Sequence, residues 1–162
     1  MSLQKKLLQD IFQQCRNKDL SIITMESCTG GLISGAITDI PGSSDVFDKG
    51  LITYSNESKI TLLGVSKTNI ETFGAVSREV VIEMATKPIV DIRLHNKVSI
   101  ATSGVAGPGQ SEEKPVGLVW LASYKHNSLL VKKLNFGNIS RYKIRQKAVF
   151  ESLKLLQENL RA

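Results

Sequence analysis

No apolar run in this 162-residue chain approaches the ~18 residues needed to cross a bilayer, which argues against a membrane-spanning helix. The opening Met1-Ser2-Leu3-Gln4-Lys5-Lys6 leads into an amphipathic pattern rather than the apolar core of a secretion signal. Cysteine is scarce. Cys15 and Cys28 are too few for a disulfide framework, so a reducing, cytoplasmic setting is expected. Histidine is equally scarce, with only His95 and His126. Neither Cys-x-x-Cys nor His-Glu-x-x-His occurs, and Asp45 and Asp48 have no ligand-like spacing, so no metal and no cofactor are expected. Repeats, low-complexity tracts and Pro/Gly linkers are also missing. One domain over 1–162 follows, long enough to enclose a core.

What the chain has is positive charge, net +6 with a pI near 9.4. Such a surface attracts anions: nucleic acid, an acidic membrane or a phosphorylated small molecule. Only nine residues are aromatic, and none alternates with basic residues in a stacking series, which counts against nucleic acid. Arg141, Lys143, Arg145 and Lys147 are interrupted by apolar residues at helical spacing, as on a solvated helix face.

Periodicity predicts the elements. Leu3, Leu7, Leu8, Ile11, Phe12 and Cys15 mark a helix over 2–17, and Leu20–Met25 a buried strand. Leu32 to Ile40 reads as a helix stopped by Pro41-Gly42, and Gly50–Tyr54 as a second strand. Asn56 and Ser77 are expected N-caps of two further helices. Lys97–Thr102 is a third strand, Val116–Tyr124 and Leu129–Leu134 an antiparallel hairpin, and 141–160 a closing helix. Helices alternating with three strands before a hairpin predict an α/β fold, a mixed sheet with helices on both faces.

Ligands of open α/β sheets bind beyond the carboxyl ends of the parallel strands. Three strands here end in small polar segments, at Glu26–Gly31, Tyr54–Lys59 and Thr102-Ser103-Gly104. Ser27 is the candidate nucleophile, or alternatively the N-cap of the next helix, where dipole and free amides favour an anion. Gly30 and Gly31 would allow a ligand close to the backbone. Serine attack needs a base, and neither histidine belongs to a converging segment. Lys59 could serve if its pKa of about 10.4 fell by roughly 3 units, worth about 4 kcal/mol; otherwise it is a surface lysine. Tyr54 and Ser103 could orient the amine or merely end strands. Cys28 is a rival nucleophile at the same turn.

Taken together, these segments resemble the CinA carboxy-terminal domain family, the nicotinamide-nucleotide amidohydrolases. The resemblance rests on Glu26–Gly31, Thr38–Ser44, Thr53–Lys59, Gly74–Ser77, Ser103–Gly109 and Lys114–Gly117, in family order over nearly the whole chain. It implies a three-layer α/β/α sandwich with a mixed five-stranded sheet, usually in a homodimer or larger assembly. It also implies metal-independent conversion of nicotinamide mononucleotide to nicotinate mononucleotide and ammonia. Position by position, it puts the nucleophile on Ser27, the base on Lys59 and supporting residues on Ser44, Tyr54 and Ser103. Thr29, Gly30, Gly31 and Arg141 fall on the substrate side. Phe136–Arg141 departs from the family pattern, lacking its Asp and running one residue longer, and Gly109-Gln110-Ser111 replaces a more glycine-rich stretch. A second family domain, related to molybdopterin-binding proteins, has no counterpart among these residues. The competing readings are a catalytically silent nucleotide-binding or competence- and damage-associated interaction module, and a nucleic-acid-binding domain.

Overall fold

The computed structural model describes residues 2–90, 96–126 and 128–162. Along the chain run α1 (Leu3–Asn17), β1 (Ser21–Glu26), α2 (Leu32–Thr38), β2 (Phe47–Ile52), α3 (Asn56–Leu63), α4 (Lys67–Phe73) and α5 (Arg78–Val90). Then follow β3 (Lys97–Gly104), β4 (Leu118–Lys125), β5 (Ser128–Asn135) and α6 (Arg141–Arg161). The sheet order is β2-β1-β3-β4-β5. β1 lies parallel to both β2 and β3, while β3–β4 and β4–β5 are antiparallel. The expected mixed five-stranded sheet with a terminal hairpin is what forms.

The two faces are filled by alternation along each strand. Ile22, Val98, Ile100, Val119 and Leu121 point into one core with Leu8, Ile11 and Phe12 of α1, Ile33 of α2 and Leu153 of α6. Ile23, Met25, Ala101 and Ala122 face the other, with Val80, Val81 and Met84 of α5 and Leu63 of α3. Side chains alternate faces with period two, so each inner strand feeds both helical layers. Fully burying each such Leu, Ile or Phe is worth about 1.5–3 kcal/mol against leaving it exposed.

Local capping refines the expected boundaries. Ser2 caps α1, accepting the Lys5 amide. Ser55, not Asn56, caps α3: its hydroxyl accepts the Ser58 amide at 3.0 Å, and Asn56 is already helical. Ser77 accepts the Val80 amide as expected. α4, capped by Ser66, was not expected; its short sequence buries only Ile70 and so lacks a full apolar stripe. His126 sits in the hairpin turn at φ +43, and His95 lies outside the described residues.

Candidate active site

Because β2, β1 and β3 are parallel neighbours, the segments following them meet at one end of the sheet. A cleft of about 330 Å³ opens there, lined among others by Ser27, Cys28, Tyr54, Lys59, Ser103 and Arg141. Its size suits a small molecule.

Lys59 is the unusual member. It stands in the first turn of α3, yet only 1% of it is exposed, which overturns the surface-lysine alternative. Its Nζ lies 3.1 Å from Ser27 Oγ, 2.8 Å from the Thr53 carbonyl and 3.4 Å from the Tyr54 carbonyl. Burial lowers its pKa from 10.5, while Cys28 and Glu112 pull the other way. A neutral amine has two N–H groups and one lone pair. With the two carbonyls taking the N–H groups, the lone pair is left for the Ser27 hydroxyl.

Ser27 does not cap α2. The N-cap position is Gly31, at φ +94, and it makes no side-chain cap. Instead the buried Glu26 carboxylate accepts the Gly31, Ile33 and Ser34 amides at 2.9–3.1 Å. This carboxylate occupies the donors that α2 would have offered an anion. Ser27 is fixed independently: its amide donates to the Thr102 carbonyl, and its own carbonyl accepts the Gly30 amide. Cys28 beside it is 5% exposed, and burial raises its thiol pKa to about 11, so the helix start does not favour a thiolate here.

The remaining expected site residues divide. The Tyr54 hydroxyl accepts a hydrogen bond from Arg141 at 2.8 Å, so its ring serves the mouth and only its carbonyl serves Lys59. Arg141 also donates to the Gly107 carbonyl at 2.6 Å, tying α6 to the β3–β4 connection. Ser103 is buried in the wall, donating to the Ala75 carbonyl at 2.7 Å. Thr29, Gly30 and Gly31, expected on the substrate side, do not line the cleft. The Thr29 hydroxyl meets that of Thr102 at 2.9 Å, and the Cys28 and Thr29 carbonyls accept from Arg145.

Ser44 does not join them. It lies exposed in the short 3₁₀ turn Ser43–Asp45 that leads into β2. Phe47 pairs with Ile22 at the start of β1, whereas Ser27 follows its other end, about 16 Å along the strand at 3.3 Å per residue. The Pro41–Ser44 motif thus marks the entrance to the edge strand within this chain. Conversely, Ala75, Val76, Ser111 and Glu112 line the cleft without having been expected there. Glu112 falls in none of the recognised motifs, so only its fold neighbours reveal it.

Among the described residues, no group of three or more His, Cys, Asp or Glu side chains could hold a metal, and no helix is long and apolar enough to cross a membrane.

Comparison with known proteins agrees with this architecture. A family model, the CinA C-terminal domain, matches residues 4–160. A competence-damage inducible protein of Clostridioides difficile is 46% identical over 144 residues, 88% of this chain and 34% of that protein. One from Alkaliphilus oremlandii is 44% identical over 144 residues, again 88% and 34%. The chain therefore spans about a third of the length of these curated relatives. The crystal structure of a competence/damage inducible protein from Agrobacterium tumefaciens superposes with a TM-score of 0.90 at 41% identity, covering 98% of this chain and 99% of that one. A CinA superfamily protein from Enterobacter cloacae gives 0.90 at 33% identity, covering 99% and 94%. With a family match along almost its whole length and the same fold at high identity, this chain belongs to the CinA C-terminal domain family.

Proposed function

We propose that the protein is a metal-independent amidohydrolase acting on the carboxamide of a pyridine mononucleotide, converting nicotinamide mononucleotide to nicotinate mononucleotide and ammonia. The observation that carries this reading is a buried lysine amine 3.1 Å from a serine hydroxyl in a small-molecule cleft. Neutral Lys59 takes the proton of Ser27 as Oγ attacks the carboxamide carbon. The tetrahedral oxyanion collapses, Lys59 returns the proton to the departing nitrogen, and ammonia leaves an acyl-enzyme. Water, deprotonated by the same amine, then releases the carboxylic acid and frees Ser27. Glu26 occupies the α2 amides, so the oxyanion donor proposed is the backbone N–H of Cys28, the residue after the nucleophile.

Arg141, at the mouth beside Tyr54, is the cation proposed for the nucleotide phosphate, consistent with the net charge of +6. A single domain over 1–162, a cytoplasmic location and a homodimer or larger assembly belong to the same proposal, and light scattering that returned a monomer would remove the last of these.

The deciding experiment incubates purified protein with nicotinamide mononucleotide and measures ammonia. Turnover is expected in the wild type, and none in Ser27→Ala or Lys59→Met. Tight nucleotide binding without ammonia would instead favour a silent binding module.

A further inference from the structure

The wall of the cleft contains a strained device that the mechanism above does not use. Glu112 and Glu113 are consecutive non-glycine residues in left-handed conformation, at φ +52 and +60. Such backbone costs of order 1–3 kcal/mol per residue and persists only where the surroundings fix it. Here the surroundings are the α4–α5 connection. Glu112 Oε1 accepts the Ala75 amide at 3.1 Å, and Oε2 the Val76 amide at 3.4 Å. Lys114 donates to the Phe73 and Val76 carbonyls and pairs with Glu112 at 3.8 Å. Gly74, at φ +81, permits the approach, since a Cβ there would lie 2.4 Å from Glu112 Oε2.

Glu112, Ala75, Val76 and Lys59 all line the one cleft. The other titratable groups around Lys59 are the thiol of Cys28 beyond β1, the Tyr54 hydroxyl and the Arg141 guanidinium at the mouth. α5, packed on α3, contributes apolar Val80, Val81 and Met84, while its Glu83 is engaged by the Ser66 amide and Lys87. With the Cys28 thiol protonated and the Glu26 carboxylate turned to the α2 amides, Glu112 is the acidic side chain among the described residues that line the cleft. We propose that Glu112 is a positioning residue of the Ser27–Lys59 pair, holding the Ala75–Val76 wall and setting the field in which the lysine keeps or yields its proton. The clamp fits a reaction in which one amine must both take a proton from Ser27 and return it to the leaving nitrogen. An amine held neutral too strongly would be a poor donor in the second step. This inference rests on the Ser27–Lys59 reading above but not on the identity of the substrate.

Its test reads Ser27 directly, through the rate of sulfonylation by phenylmethylsulfonyl fluoride across pH, followed by intact mass. Removing the negative charge in Glu112→Gln should move the rising limb about 0.5–1 pH unit lower. Lys114→Gln removes the neighbouring cation and should move it slightly higher, while Glu112→Asp should restore the wild-type limb. A purely structural clamp would slow labelling in both variants without moving either limb. An unmoved or raised limb in Glu112→Gln, a lowered limb in Lys114→Gln, or no labelling of wild-type Ser27 would overturn the proposal. If nicotinamide mononucleotide is not hydrolysed but the limb still shifts, the substrate assignment fails and this inference stands. If hydrolysis occurs and the limb stays fixed, the reverse holds.

Discussion

The Ser34 amide and hydroxyl both donate to Glu26 Oε1, at 2.9 and 2.7 Å, so one buried carboxylate oxygen anchors the start of α2. Its partner Oε2 takes the Gly31 and Ile33 amides. Glu26→Ala would leave the Gly31, Ile33 and Ser34 amides without their acceptor beneath the nucleophile turn, while the Ser34 hydroxyl keeps Thr24 Oγ1 at 2.7 Å. The expected loss is about 3–5 kcal/mol, read as a lower urea midpoint with unchanged slope. Glu26→Gln keeps the shape but loses charge and one acceptor, and should fall between.

Two pH effects follow from Lys59. Its folded-state pKa is lowered below 10.5 by burial, so the folded protein disfavours the ammonium. Below the lowered value, the burial penalty is present in full. Between that value and 10.5 the unfolded chain binds more protons, so stability rises with pH, and above 10.5 the penalty is gone. Wild type should therefore gain stability relative to Lys59→Met as pH climbs through this window, as thermal melts at stepped pH would show. Activity should rise across the same lowered pKa. Wild type losing ground to Lys59→Met in that window would contradict the burial argument.

How far all this was legible in the sequence depended on whether the signal was local. Hydrophobic period placed every strand within a few residues, and parallel connectivity was enough to predict that Ser27, Tyr54, Lys59 and Ser103 share one end of the sheet. Ser44 lies apart from them in this chain, and a motif match does not say which end of a strand a residue occupies. The N-cap alternative for Ser27 gives way to Glu26, since a carboxylate one position earlier reaches the α2 amides through its longer side chain. Glu112 was invisible because its partners, Ala75 and Val76, are 36–37 positions away and are engaged through their backbone.

Cys28 gives a sharp discrimination. With its thiol raised to about 11, it is protonated at neutral pH and 5% exposed. Iodoacetamide should leave it unmodified at pH 7.5 in the folded protein, and Cys28→Ala should keep ammonia release within a few-fold of wild type. Loss of activity on that substitution, with a normal melting curve, would transfer the nucleophile role to sulfur.

Arg141 is expected to act on binding rather than on chemistry. A charge-assisted hydrogen bond to phosphate is worth about 1.5–3 kcal/mol, so Arg141→Ala should raise KM for nicotinamide mononucleotide about 10–150-fold with kcat little changed. Tyr54→Phe removes the hydroxyl that accepts from Arg141 but leaves the carbonyl near Lys59, and should raise KM by a smaller factor. The double variant should be less than additive, because both substitutions disturb one contact. A fall in kcat with unchanged KM would place Arg141 at the reacting amide.

Gly104 tests how tightly the end of β3 fits the nucleophile turn. A Cβ there would lie 2.7 Å from Val119 Cγ2, 2.9 Å from the Leu118 carbonyl oxygen and 3.1 Å from Cys28 Sγ. The first contact could ease by rotating valine, but the carbonyl belongs to the backbone of β4 and already accepts the Val105 amide. Strand β3 must therefore move outward or Cys28 must shift, and Cys28 is bonded directly to Ser27. Gly104→Ala should destabilise by about 1–3 kcal/mol, the usual range for overpacking. It should also lower kcat more than a surface control with an equal drop in melting temperature, since displaced Ser27 would lengthen the 3.1 Å contact with Lys59. Pairing it with Cys28→Ala, which opens space beside the new methyl, should recover part of both losses. No recovery would mean that the backbone clash with Leu118 dominates.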